Sequence, residues 1–383
     1  MAFSGLYLTE KISLFVLFMG IFFLYKIIST KTFPLPEKNI LLFLFGIFLS
    51  SFIHIGEVEW ISVLFTYFFI YTYFILVKDI NPQLFVSAIK FIFWAYLVYL
   101  VLGQIYVALG LFVPKNINDF GLQFGSFGSV YQLTGETFRQ RSLSTEPSHA
   151  AFFTVISMIS ILKCDQLFGL RTSKKYWLAY LYMMVGYTSS FGLLVLPVPL
   201  LIILKKNNFK LGVIILGLLL GIAIFILFSS QFFFQRLFIF FEMISSELDL
   251  NNLENIQGTD GSAFYRIGPT FVYFNNFKIL DIYFWIGHGI NKGNEFISNI
   301  IYSNSDYELS IHFFPGFFYD YGLILGVLFL LIFLKKLRLS KNLSYTFIFI
   351  FLMLNSSINT QLFWFFIISF TLVEKFKNFY KQG

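Results

Sequence analysis

Two polar stretches in an otherwise apolar chain hold the side chains equipped for chemistry. The first reads Arg139-Gln140-Arg141-Ser142-Leu143-Ser144-Thr145-Glu146-Pro147-Ser148-His149. Pro147 stands where a helix would begin, Thr145 is suited to cap it, and Glu146 lies at the positive end of its dipole. Capping alone gives no reason for Arg139 and Arg141 just upstream. Guanidinium groups beside a helix amino terminus make an anion site, and their fork of donors suits a phosphate or diphosphate better than an ammonium does. Plain anchoring of the topology fits the same two arginines equally well.

The second stretch begins at Arg236 and passes through an acidic, amide-rich portion, Glu242 to Asp260. A turn at Gly258-Thr259-Asp260-Gly261 then leads to a short predicted helix carrying Arg266. A glycine-rich turn follows at Gly287-His288-Gly289, and the stretch closes at Glu308-Leu309-Ser310-Ile311-His312, at the mouth of an apolar span. An imidazole there, ordinarily titrating near neutrality, can take a proton from a hydroxyl during its attack. His54 and His288 are read as satisfied interfacial residues.

The elements that must position these groups are membrane helices. Of 383 residues 57% are hydrophobic and 12% charged, with mean hydropathy +0.76, more apolar surface than a soluble core hides. The abundance of Phe and Tyr is read as compositional bias. A lone cysteine, Cys164, rules out an intramolecular disulfide. Apolar length and polar breaks predict spans at 12–28, 40–55, 60–77, 89–112, 149–163, 176–189, 190–204, 211–229, 313–334, 344–357 and 358–373. The run 176–204 is read as a tight helical hairpin broken at Thr188-Ser189-Ser190, with one long tilted helix as the alternative.

Alternating the loops places nineteen basic and four acidic residues on one side, a net +15, and eight basic and sixteen acidic on the other, a net −8. The basic side is expected to be cytoplasmic. This orients the amino terminus outside and the carboxyl terminus inside. The first apolar segment has its positive charges after the apolar run and no small-residue cleavage site, so it is read as an uncleaved span. The chain is thus expected to be one polytopic domain, 1–383, of about eleven helices. Its outer-face loops are 113–148 and a large one, 230–312.

The arginine before a Glu-Pro-Ser helix start, the long outer loop with an arginine and then Gly287-His288-Gly289, and a histidine leading into a span ending Tyr321-Gly322-Leu323-Ile324-Leu325-Gly326 together resemble the O-antigen polymerase and O-antigen ligase superfamily. The resemblance covers roughly residues 139–334. It implies an all-α, GT-C-like integral membrane glycosyltransferase of the bacterial inner membrane. The implied substrates are an undecaprenyl-diphosphate-linked oligosaccharide donor and acceptor, used to build O-antigen, capsule or exopolysaccharide. Carried to this sequence, it implies that Arg141 and Arg266 contact the donor's pyrophosphate and that His312 is the base or orienting group for the acceptor hydroxyl. Arg139, Glu146, His149, Arg236 and Tyr265 are the implied substrate-binding residues. Many ligases carry an arginine after the serine of the hairpin break, where this chain has Phe191. That departure favours polymerase over ligase, whose acceptor would be lipid A-core.

The outer carboxylates lack ligand spacing and form no Asp-x-Asp pair, so neither metal nor other cofactor is expected. No phosphate-cradling glycine loop is present for nucleotide chemistry, and the net charge of +7 reflects topology with no call for nucleic acid. Membrane lipid and a chain-length regulator protein are the further expected partners. A flippase or transporter of lipid-linked oligosaccharide is the rival from another class. It would carry ionisable groups at the midplane of several spans and often an internal repeat, neither of which the sequence displays.

Overall fold

The computed structural model describes residues 36–54, 60–109, 131–132, 138–139, 142–144, 146–187, 189–200, 268–270, 272–274, 278–301, 312–358 and 360–382, with single positions at 21, 25, 28, 202 and 276. Among these residues the helices are α1 (Lys38–Ile53), α2 (Trp60–Asp79), α3 (Pro82–Ala108), α4 (Pro147–Leu167), α5 (Lys174–Gly186) and α6 (Ser190–Val195). The second half adds α7 (Ile282–Ile286), α8 (Lys292–Ile301), α9 (Phe313–Leu337), α10 (Leu343–Met353) and α11 (Gln361–Gln382). The remaining regular structure is a 3₁₀ turn at Leu339–Lys341 and a two-residue antiparallel pair, β1 (Tyr131–Gln132) and β2 (Phe138–Arg139), with Tyr131 opposite Arg139. Pro82–Ile105, Pro147–Leu167 and Phe313–Phe333 are long and apolar enough to cross a membrane. Apart from the β1–β2 pair the described regular structure is helical, and the chain is a membrane protein.

The expected spans at 40–55, 60–77 and 313–334 match α1, α2 and α9 within a few residues. The helix expected to start at 89 starts instead at Pro82, where the Asn81 side chain accepts from the Leu84 amide at 2.7 Å and proline pre-sets the first turn. Lys90, at the edge of the expected span, is consequently well inside α3, where its ammonium meets Asp165 at 3.2 Å. The last helix starts at Gln361 and runs on to Gln382. The chain of 176–204 does fold back: α5 ends at Gly186, α6 starts at Ser190, and the Tyr180 hydroxyl donates to the Leu196 carbonyl at 2.8 Å. The spans expected at 12–28 and 211–229 lie outside the described residues.

α4 is the centre of the bundle. Phe152, Phe153, Val155, Ile156 and Ile159 bury every side of it, as expected for a helix with no polar stripe. It packs on α3, α5, α6 and α11. In a bilayer such packing rests on close contact, since lipid tails are as apolar as the helix surface. Short side chains at Ala150, Ala151, Ser157 and Ser160 allow that approach, and Phe153 meets Phe365 of α11 with ring centroids 5.0 Å apart.

The bundle has two chemically distinct ends. At one, Lys375 of α11 donates to the Val77 and Lys78 carbonyls that finish α2, at 2.6 and 3.0 Å. Lys78, Lys335, Arg338 and Lys375 surround one cavity of about 660 Å³ there. The sequence reading had assigned all four to the same side. At the other end lie the starts of α4 and α9, the end of α1 and the loop 354–360.

α9 is interrupted. Gly322 has φ 78° and ψ 167°, in a region that only glycine adopts freely, and Gly287 faces it with φ 90° and ψ 163°. A β-carbon on Gly322 would overlap the Trp285 carbonyl and the Gly287 amide, and one on Gly287 would overlap the Asp320 carbonyl. Backbone meets backbone at this point. By contrast, a β-carbon on Gly46 of α1 would overlap only the end of the Leu325 side chain, which can turn aside. Gly322→Ala is expected to lower the midpoint of thermal unfolding in detergent well below that of Gly46→Ala, with a strain cost of about 1–3 kcal/mol before the backbone overlap is counted. Equal midpoints for the two variants would show that this contact is not structural.

Candidate functional site

The segment leading into α4 is pinned to α3. Ser142 has a left-handed backbone, φ 49°, and its hydroxyl donates to the Tyr96 carbonyl at 2.9 Å, while Ser144 shares a 2.8 Å hydrogen bond with the Tyr96 hydroxyl. This fixes the chain one residue after Arg141. Glu146 then serves as the N-cap residue itself, a place the sequence reading gave to Thr145. Its extended backbone (φ −138°, ψ 155°) and Pro147 at the first helical position make the turn. Its carboxylate accepts from the Ser148 hydroxyl at 3.1 Å.

One turn into the structure from that cap, the imidazole Nε2 of His149 lies 3.1 Å from the Asn355 carbonyl oxygen. An oxygen there can only accept, so Nε2 carries the proton of that bond. The adjacent Ser356 carbonyl accepts from the Phe313 amide in the first turn of α9, directly after His312. Half-buried His312 is the N-cap residue of α9, in extended backbone (φ −75°, ψ 173°). Two neighbouring carbonyls of the loop 354–360 thus tie together the starts of α4 and α9. Glu146, His149 and His312, far apart in sequence, are brought to one place.

The remaining residues implied by the resemblance are distributed differently. Arg139 closes β2, paired through its backbone with Tyr131. Arg141, Arg236, Tyr265 and Arg266 lie outside the described residues. The chain resumes in helical turns at 268–270 and 272–274, where Tyr273 rests edge-on against Phe314 (6.4 Å) and Tyr319 (6.4 Å) of α9.

A second group gathers where α9 is broken. The break frees carbonyls that a continuous helix would use, and the turn between α7 and α8 supplies donors: the His288 and Gly289 amides donate to Tyr319 and Asp320, both at 3.0 Å. The Asp320 carboxylate accepts from the Asn291 and Gly293 amides at 3.0 and 2.8 Å, which gives the start of α8 a negative partner. His54 at the end of α1 has Nε2 3.1 Å from the Gly287 carbonyl. The His288 ring stacks on Tyr319 (4.0 Å, 9° between planes), and Phe296 stacks on Tyr319 as well (4.7 Å, 19°). Tyr283 adds a fourth ring, 5.3 Å from His288. Burial holds the His288 imidazole below its ordinary pKa of 6.5, partly offset by its bond to the Tyr319 carbonyl and by Asp281.

Sequence reasoning treated His288 as a satisfied interfacial residue and passed over Tyr319, Asp320 and Asn355. Two signals were available. The run Asn355-Ser356-Ser357 interrupts two apolar segments, and Asp320 is a carboxylate seven residues into a span, where an ionisable group calls for a partner. Among the described residues no group of three His, Cys, Asp or Glu side chains is placed to hold a metal ion.

No protein-family model, curated protein or solved structure matches the chain.

Asp320→Asn tests whether the carboxylate holds the turn in place. Asparagine keeps one accepting oxygen where two amides need one each, so stability is expected to fall by about 1–3 kcal/mol. A denaturation midpoint unchanged from wild type, measured in the same detergent, would contradict that role.

Proposed function

We propose that this protein is a metal-independent polyprenyl-diphosphate-dependent glycosyltransferase: an oligosaccharide repeat-unit polymerase acting at the outer face of the bacterial inner membrane. It transfers a glycan from undecaprenyl diphosphate to the terminal sugar of another lipid-linked repeat unit. The observation that carries this reading is the convergence of the α4 and α9 starts, with Glu146, His149 and His312, on the loop 354–360. Two helix amino termini directed at one place favour an anion, and a diphosphate is the anion that a membrane-bound glycosyl donor brings.

In this reading the acceptor hydroxyl oxygen attacks the anomeric carbon of the donor and forms the new glycosidic bond. The bond from that carbon to the diphosphate oxygen breaks, and its electron pair leaves with the lipid diphosphate. The hydroxyl proton passes to His312. Arg141 and Arg266 neutralise the departing diphosphate, which is already a good leaving group, so positioning and charge stabilisation supply the catalysis. Arg139, Glu146, His149, Arg236 and Tyr265 bind the substrates.

The experiment is the glycan ladder made by proteoliposomes supplied with the cognate lipid-linked repeat. His312→Ala is expected to reduce polymer by about 10²-fold or more, the usual contribution of a positioned proton acceptor. Arg141→Ala and Arg266→Ala should do likewise while single lipid-linked units accumulate at the outer face. Normal ladders from all three variants would end the assignment. Units trapped at the inner face would indicate a flippase, and transfer to lipid A-core would indicate a ligase.

A further inference from the structure

The four rings Tyr283, His288, Phe296 and Tyr319 line two cavities, of about 180 and 370 Å³. The first also has Asn276, Lys278 and Asp281 on its wall, and the second has His54, Lys292, Glu295 and Asn299. Each cavity therefore pairs one ammonium with one carboxylate, and Lys292 and Glu295 are already joined at 2.8 Å. Such a lining does not select a charged ligand. It offers amide, carboxylate and ammonium groups, which suit hydroxyls, beside aromatic faces whose negative quadrupole attracts the weakly positive C–H edges of a sugar ring. The larger cavity falls in the usual range of small-molecule sites, roughly 300–1,000 Å³.

His288 gives the cleft a defined polarity. Its Nδ1 lies 3.3 Å from the Tyr319 carbonyl oxygen, which can only accept, so the proton of the neutral ring sits on Nδ1. Nε2 is left with a lone pair and has no hydrogen-bond partner among the described residues. Beside the cleft, Ile279, Leu280, Ile282 and Trp285 are exposed, a composition suited to the membrane interface. An apolar patch of that kind beside the cleft suits a ligand presented at the membrane surface.

We infer that the cleft at the break of α9 is a saccharide-binding subsite, in which neutral His288 accepts a hydrogen bond from a sugar hydroxyl through Nε2. This rests on the glycosyltransferase reading for its purpose, since the acceptor glycan is the ligand it would hold, but not for its chemistry. The charged and titratable groups around the ring are Lys278 and Asp281 before α7, Lys292 and Glu295 on α8, Tyr319 and Asp320 on α9, and His54 on α1. Protonation of His288 removes the accepting lone pair. Burial lowers its pKa, so the accepting form prevails at neutral pH and binding is lost only on the acid side.

Saturation-transfer NMR on the full chain in lipid nanodiscs tests this. The probes are methyl glycosides of a hexose, an N-acetylhexosamine and a 6-deoxyhexose, with inorganic phosphate as competitor. At least one glycoside is expected to bind the wild type. His288→Phe keeps a flat ring against Tyr319 but has no nitrogen, and is expected to weaken binding about tenfold, the scale of one lost hydrogen bond. Wild-type binding should fall as the pH is taken below the ordinary imidazole value of 6.5, as the ring protonates, and that fall should be absent in His288→Phe. If His288→Phe fails to fold, Asn299→Ala at the open rim is expected to weaken glycoside binding while keeping the loss of binding on the acid side. No transfer from any glycoside, wild-type affinity in the variants, or displacement by phosphate would overturn the proposal. Glycoside binding without a glycan ladder would leave the cleft standing and remove the polymerase, and a ladder from a cleft that binds no glycoside would do the reverse.

Discussion

The interruption of α9 at Gly322 is the constraint on which the neighbouring structure depends. A helix broken inside an apolar span frees carbonyls from their usual partners, and such groups are costly when left unpaired away from water. The turn at Gly287-His288-Gly289 meets that need, with its amides on the Tyr319 and Asp320 carbonyls. Close approach is required for those bonds to form, and close approach excludes a β-carbon at Gly287 or Gly322. Asp320 then takes the first amides of α8, so one short segment of α9 orients α7, the turn and α8 together. The His288 ring is held on Tyr319 by a second bond, from Nδ1 to the same Tyr319 carbonyl that its amide reaches.

What the sequence made legible was local in origin. Apolar length located α1, α2 and α9, and the proline at 147 marked the start of α4 correctly. The clustering of Lys78, Lys335, Arg338 and Lys375 at one end was visible because charge distribution along a membrane chain is set by topology, a one-dimensional property. The ion pair that Lys90 makes inside α3 was not legible. Asp165 lies seventy-five positions away, and no local pattern announces that pairing.

The candidate site was legible by residue type and hidden in its assembly. Glu146, His149 and His312 stood out as polar groups at helix starts, but the element that joins them is a pair of backbone carbonyls at Asn355 and Ser356. Every residue has a carbonyl, so sequence carries no mark of the ones that will be used. The same holds for the Tyr319 carbonyl, which turns His288 from an interfacial histidine into one with a fixed tautomer.

Helix direction links the two ends of the bundle. The starts of α4 and α9 meet at the loop 354–360, α11 begins where that loop ends and α10 ends where it begins, so three positive dipole ends and one negative end meet near His312. The carboxyl-terminal portions of α2, α9 and α11 meet at the opposite end, where Lys78, Lys335, Arg338 and Lys375 complement their negative ends. At that loop the amino-terminal ends outnumber the carboxyl-terminal one, so backbone amides contribute a local positive field without the desolvation cost of buried ammonium groups. The lysines at the other end are correspondingly occupied, as Lys375 on the last carbonyls of α2 illustrates.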